Sequence, residues 1–191
     1  MGRIIGLTGG IATGKSTASG YLARRGIPVL DADLYARQAV AMGSPILETI
    51  AHRYGRDILG TDGSLDRRQL GEIIFNDPGE KRWLEQQIHP FVRQRFRQEM
   101  ASLQAPVVVQ AIPLLFEANL TDQVNEIWVV TCSPDQQRQR LMQRNHLSAA
   151  QAEARIASQM PLEEKATRAD RVLDNSGSRD HLYEQIDAAL G

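Results

Sequence analysis

The chain has 191 residues, 42% of them hydrophobic and 24% charged, with a formal net charge of −1. That is enough for one substantial core, and the near-neutral balance supplies neither a global field for nucleic acid nor a polybasic membrane patch. Aromatics at 5% leave few stacking platforms for single strands, and no apolar run approaches the ~18 residues of a membrane span.

Strand-like and helix-like segments alternate along the chain, which predicts an α/β fold with a parallel sheet. Residues 3–8 form a short apolar run leading into glycines, and a helix is expected over 15–25, stopped by Gly26. A second strand over 28–30 ends at Asp31-Ala32-Asp33, and a helical segment follows to about Ala41. Ser44-Pro45 reads as a cap with proline at the first helical position. Asp62-Gly63 marks a turn, Asp66 can cap a helix through Phe75, and Asp77-Pro78 opens another helix. His89-Pro90 is expected to kink or break that helix, because proline removes an amide donor and clashes with the preceding turn.

Residues 106–112 and 126–131 are rich in Val and Ile, as buried strands should be. Ser133-Pro134 caps a helix through about Arg144, and Ser148 with Gln151 makes a capping box for a helix ending near Met160-Pro161. Residues 171–174 are a fifth short strand, and Ser176-Gly177 turns the chain into a final helix to Leu190. The segment 32–104 reads as a helical insertion in a sheet-based core.

The strongest motif is Gly9-Gly10-Ile11-Ala12-Thr13-Gly14-Lys15-Ser16, a full match to the phosphate-loop pattern G-x-x-x-x-G-K-[ST] between a strand and a helix. Glycines let backbone amides approach phosphate oxygens, and the helix that follows presents free N–H groups and its positive dipole end. Lys15 can reach the β- and γ-phosphates and Ser16 can ligate Mg²⁺. Of 22 basic residues 19 are Arg, so Lys15 is one of only three lysines, with Lys81 and Lys165. The guanine-reading Asn-Lys-x-Asp sequence is absent, which disfavours a GTP switch. A helical insertion in a small chain favours a kinase of small substrates.

Asp31 and Asp33 follow the second strand, on the side of an open parallel sheet where ligands gather. Either could take a proton from an attacking hydroxyl, or cap the next helix. Arg140 and Arg144 are four apart and share a helix face, with Arg155 on the next helix. That face is either solvated or part of a closing lid that keeps water from the γ-phosphate. The single Cys132 excludes an intrachain disulfide framework, and His52, His89, His146 and His181 lack metal-ligand spacing. The first residues carry no signal-peptide apolar stretch, so a soluble cytoplasmic protein is expected. Its oligomeric state is left open.

Taken together, these segments resemble the dephospho-coenzyme A kinase family nearly end to end. The resemblance is carried by Gly6-Leu7-Thr8-Gly9-Gly10-Ile11, Asp31-Ala32-Asp33, Asp62-Gly63, Leu65-Asp66-Arg67 and Ile88-His89-Pro90. It continues through Pro113-Leu114-Leu115-Phe116-Glu117, Arg155-Ile156-Ala157-Ser158-Gln159, Ala169-Asp170 and Asn175-Ser176-Gly177. It implies a P-loop NTPase fold with a five-stranded parallel sheet flanked by helices. The nucleotide-binding core would be 1–31, 105–133 and 166–191, with a helical coenzyme-binding subdomain at 32–104 and a helical lid at 134–165. The implied reaction is ATP-dependent phosphorylation of the ribose 3′-hydroxyl of dephospho-coenzyme A, giving coenzyme A and ADP, with Mg²⁺, as the last step of coenzyme A biosynthesis.

By the same resemblance Asp33 is the catalytic base, acting with Lys15 and the lid residue Arg140. Gly10, Ile11, Ala12, Thr13, Gly14, Lys15, Ser16 and Thr17 cradle ATP, with Arg144 nearby and Asn175 near the adenine. Thr8, Asp33, His89 and Arg93 fall in segments lining the acceptor pocket. Two departures stand out. Ala12-Thr13 replaces the commoner Gly-Ser, which should leave backbone cradling intact. Ala111 stands where many relatives are acidic, which leaves Glu117 as a substitute aid to Mg²⁺ or as a structural residue.

Overall fold

The computed structural model describes residues 2–191. The chain forms five strands: β1 (Arg3–Gly9), β2 (Val29–Asp31), β3 (Val107–Ala111), β4 (Glu126–Thr131) and β5 (Arg171–Asp174). All neighbouring pairs are parallel, in the order β2-β3-β1-β4-β5. The register places Leu7 of the central strand beside Ala111 and Trp128. Ile5 and Leu7 are fully buried, because helices cover both faces of such a sheet and its strands become apolar throughout.

The helices are α1 (Lys15–Arg24), α2 (Ala32–Ala39), α3 (Pro45–Tyr54), α4 (Arg67–Asn76), α5 (Pro78–Ser102), α6 (Pro134–Asn145), α7 (Ala149–Ala157), α8 (Leu162–Thr167) and α9 (Arg179–Leu190). They fall into two compact units, one of residues 2–31 and 104–191 and the other Ala32–Leu103. In the first unit Ala18 and Leu22 of α1 and Leu182 and Ile186 of α9 join Ile5, Leu7, Trp128 and Val130 in one core. Each large aliphatic side chain there contributes roughly 2 kcal/mol by leaving water. The segment 134–165 belongs to this unit. Its capping box at Ser148 and Gln151 is formed, but α7 stops at Ala157 and the separate short helix α8 follows Pro161.

The second unit has its own core of Val40, Leu47, Ile50, Ile58, Leu65, Leu70 and Leu84. Its helix starts are locally encoded. The Ser44 hydroxyl accepts the Leu47 N–H at 3.1 Å, the Asp66 carboxylate accepts those of Arg68 and Gln69 at 3.0 Å, and Asp77 accepts that of Gly79 at 2.7 Å. Of the kink or break expected at Pro90, the break does not occur, because α5 continues through it. Losing one donor and crowding the preceding turn costs roughly 3 kcal/mol. Packing on both sides outweighs this: Leu84 sits in the helical core and buried Phe96 meets the Tyr35 ring edge-on at 5.1 Å.

Candidate functional site

The central strand β1 ends at Gly9, where the chain must pass extremely close to β4. A Cβ at Gly9 would lie 2.6 Å from the Val130 carbonyl oxygen. The loop then turns through Ala12, whose φ of 62° is left-handed, and Gly14, whose φ is 104°. Gly14 is the N-cap of α1, and no side chain caps that helix or places an acid in its first turn. Its leading N–H groups are therefore directed at whatever anion arrives, together with the positive end of the helix dipole. Lys15 Nζ lies 4.0 Å from Asp31 Oδ2, at the end of β2. Ser16 is exposed in the first turn.

Side chains brace the loop, one from within it and three from distant segments. The Thr13 hydroxyl, fully buried, donates to the Gly10 carbonyl at 2.9 Å. Asn175 Nδ2 donates to the Thr13 carbonyl at 2.8 Å. Both polar groups of Ile11 are taken by glutamines: its carbonyl accepts from Gln137 Nε2 at 2.9 Å and its N–H donates to Gln159 Oε1 at 2.8 Å. These contacts hold backbone that the turn itself leaves without regular partners.

The residues singled out from sequence fall in different surroundings. Thr8 is fully buried, and its hydroxyl donates to the Pro113 carbonyl at 3.0 Å. Arg140 Nη2 donates to the Asn175 carbonyl at 3.0 Å, and Arg140 Nη1 is buried with no acceptor among the described residues. Burial pushes the Cys132 thiol pKa up, and Arg140 beside it opposes that rise. Arg144 is exposed and donates from Nε to Asn145 Oδ1 at 2.9 Å. The first unit thus brings Thr8, the loop, Lys15, Ser16, Asp31, Arg140 and Asn175 to one end of its sheet. Asp33, His89 and Arg93 belong to the second unit. Asp33 is exposed in the first turn of α2, and His89 and Arg93 are exposed one turn apart on α5.

The sequence assigns no role to Gln137, Gln159 or Lys165, although Gln159 closes a segment that carries the family resemblance. Gln137 lies in the polar run 135–140, with no local feature to mark it. Lys165 carried a signal, as one of three lysines in the chain. It is fully buried and pairs with Glu117 Oε1 at 2.7 Å. Glu117 Oε1 also accepts the Met160 N–H at 3.1 Å, while Oε2 is buried without a donor among the described residues.

A family model described as dephospho-CoA kinase matches residues 3–181. A dephospho-CoA kinase of Trichormus variabilis is 59% identical over 189 residues, covering 98% of this chain and 96% of the relative. Two solved structures are similar over nearly the whole chain. One is TT1252 of Thermus thermophilus, with TM-score 0.81 and 37% identity, covering 99% of this chain and 96% of the other. The second is a dephospho-CoA kinase of Campylobacter jejuni, with TM-score 0.73 and 29% identity, covering 100% and 96%.

Proposed function

This chain belongs to the dephospho-CoA kinase family, and from that premise we propose that it moves the γ-phosphoryl group of ATP to the ribose 3′-hydroxyl of dephospho-coenzyme A. The observation that carries the reading is the uncapped start of α1 at the end of the central strand, with Lys15 and Ser16 as its first two residues. Amides there, the dipole and one mobile ammonium suit a triphosphate. Lys15 would leave Asp31 for the β- and γ-phosphates when ATP binds. Arg140 supports the same reading, because its guanidinium is held at the Asn175 carbonyl, beside the loop that the Asn175 amide braces, and a phosphate oxygen there would take a charge-assisted N–H.

In this mechanism Asp33 orients the attacking 3′-hydroxyl and takes its proton. The oxygen attacks the γ-phosphorus in line as the bond to the β-phosphate oxygen breaks, releasing ADP. Segment 32–104 would hold the coenzyme through His89 and Arg93, and segment 134–165 would close over the phosphates and exclude water. Arg144 would join Arg140 in neutralising the charge that develops during transfer, and Asn175 would border the adenine.

The residues present fit Mg²⁺ in one respect. Ser16 offers an exposed hydroxyl oxygen, a hard donor of the kind this ion takes beside substrate phosphates. The described residues contain no cluster of three acidic, His or Cys side chains able to cage a metal. Ala111 offers no carboxylate, and the charge of Glu117 is balanced by Lys165. Mg²⁺ held at Ser16 would supply neutralisation of the β- and γ-phosphate oxygens. Buried Cys132 suits a reducing compartment, which fits the cytoplasm.

The test is ADP release coupled to a reporter, with dephospho-coenzyme A, nucleosides and nucleoside monophosphates as alternative acceptors. ADP should form with dephospho-coenzyme A, with a product heavier by one phosphate. No release with that acceptor, or preference for a nucleotide, overturns the reading.

A further inference from the structure

Lys165 takes no part in the transfer described above, yet it is the one fully buried acidic or basic residue among those described. Its Nζ lies 2.7 Å from Glu117 Oε1 and 3.4 Å from the carbonyl oxygens of Gly9 and of Pro113. An ammonium has three donors and no acceptor, so these three oxygens complete it. The same Glu117 oxygen takes the Met160 N–H, and the same Pro113 carbonyl takes the Thr8 hydroxyl.

Separate pieces of chain therefore converge on one charge: the end of β1 where the phosphate loop begins, the turn after β3, and the residue that precedes Pro161 and α8. Gln159, next to Met160, holds the Ile11 N–H of the loop. Burying an ion pair is expensive, and a well-packed apolar pair of similar volume is often as stable. Packing alone does not account for a lysine at this point. An apolar side chain lacks three directed donors, which fix where the Gly9 carbonyl points and where the Gln159–Met160 segment lies.

We propose that Lys165, with Glu117, is a positioning residue that holds the phosphate loop in its anion-binding shape before ATP arrives. It touches no reacting atom and acts through Gly9 on one side and through Met160, Gln159 and Ile11 on the other. The inference rests on the reading of this loop as the ATP site.

The experiment compares wild type, Lys165→Met, Glu117→Gln and the control Ile186→Val. It uses steady-state kinetics, ATP titration, thermal unfolding and residue-resolved amide exchange. Lys165→Met keeps most of the stem volume and removes the charge-assisted hydrogen bonds, whose loss should raise the ATP KM by about tenfold or more. The KM for dephospho-coenzyme A should stay within about twofold, since uniform binding is lost for only one substrate. Amides of Gly10, Ile11 and Ala12 should exchange faster relative to those of β4. Glu117→Gln keeps an acceptor for Met160 and should shift ATP KM and loop exchange in the same direction by a smaller factor. Ile186→Val, in the α9 core, should lower Tm while leaving the ATP KM unchanged.

A Lys165→Met protein with lowered Tm, wild-type ATP KM and uniformly faster exchange would make the residue merely structural and overturn the proposal. If that variant does not fold, Glu117→Gln decides, and unchanged ATP KM with unchanged loop exchange overturns it equally. Wild-type protein that binds no ATP sinks the nucleotide-site reading instead, and does so before any variant is compared.

Discussion

Asn175 and Gly14 are locked together across the chain. The Asn175 amide donates to the Thr13 carbonyl, and a Cβ at Gly14 would lie 2.0 Å from Asn175 Nδ2. The last glycine of the phosphate loop is thus required twice, once by its φ of 104° and once by the side chain pressed against it. This arrangement fixes the last peptide before α1, where the phosphate-facing amides begin.

Gly14→Ala should therefore fail on both counts. Left-handed backbone and the forced displacement of Asn175 should together cost about 2–4 kcal/mol. Thermal unfolding should show the loss, and ATP titration should show weakened binding. A variant with wild-type Tm and ATP affinity would contradict the packing described here.

Ala12 carries strain in the opposite sense, because it adopts a φ of 62° without being glycine. Ala12→Gly should stabilise the protein by up to about 1 kcal/mol, while ATP KM stays within about twofold. Differential unfolding of the two proteins checks this, and a fall in Tm would show that the loop does not hold Ala12 under strain.

Asp33→Asn keeps size and polarity and removes the base. Turnover should fall about 10²- to 10⁴-fold, with ATP affinity by titration near wild type. Lys15→Ala should differ by also weakening ATP binding, with turnover down about 10²- to 10³-fold. An Asp33→Asn enzyme that turns over normally would remove Asp33 from the mechanism.

In the helical unit, Glu80 receives Arg53 from two nitrogens at 2.7 Å and the Tyr54 hydroxyl at 2.5 Å. The Arg53 hydrogen bonds first, and the Tyr54 bond next, hold the Glu80 pKa down at about 2. A depressed carboxylate stabilises the fold above its unfolded pKa and loses that contribution as pH falls toward the folded value. Wild type should therefore exceed Glu80→Gln in Tm at neutral pH. The difference should shrink as pH drops from the ordinary glutamate range toward 2. A difference that does not change with pH would show that the ionised carboxylate is not the stabilising form.

Much of this protein was legible residue by residue. The phosphate loop, the alternation of strands and helices, and the caps at Ser44, Asp66, Asp77, Ser133 and Ser148 are short-range signals. The caps are hydrogen bonds within three residues, and the loop and elements are marked by local residue type and periodicity, so spacing reveals them. Pro90 does not break α5: its local cost is visible in sequence, and the packing of Leu84 and Phe96 that offsets it is not.

The contacts that hold the loop in shape are of another kind. Gln137 reaches Ile11 across 126 residues, Gln159 across 148, and Asn175 reaches Thr13 across 162. Nothing near Gln137 or Lys165 in the chain distinguishes a loop-bracing side chain from a solvated one. Residue order established that a strand, a glycine turn with Lys15 and a helix occur in the arrangement that anion binding needs. The closing of the parallel sheet, in the order β2-β3-β1-β4-β5, then selected which distant amides and which lone ammonium meet that turn. Short-range hydrogen bonding is written into adjacent residues, whereas burial and long-range pairing exist only once the strands have found their neighbours.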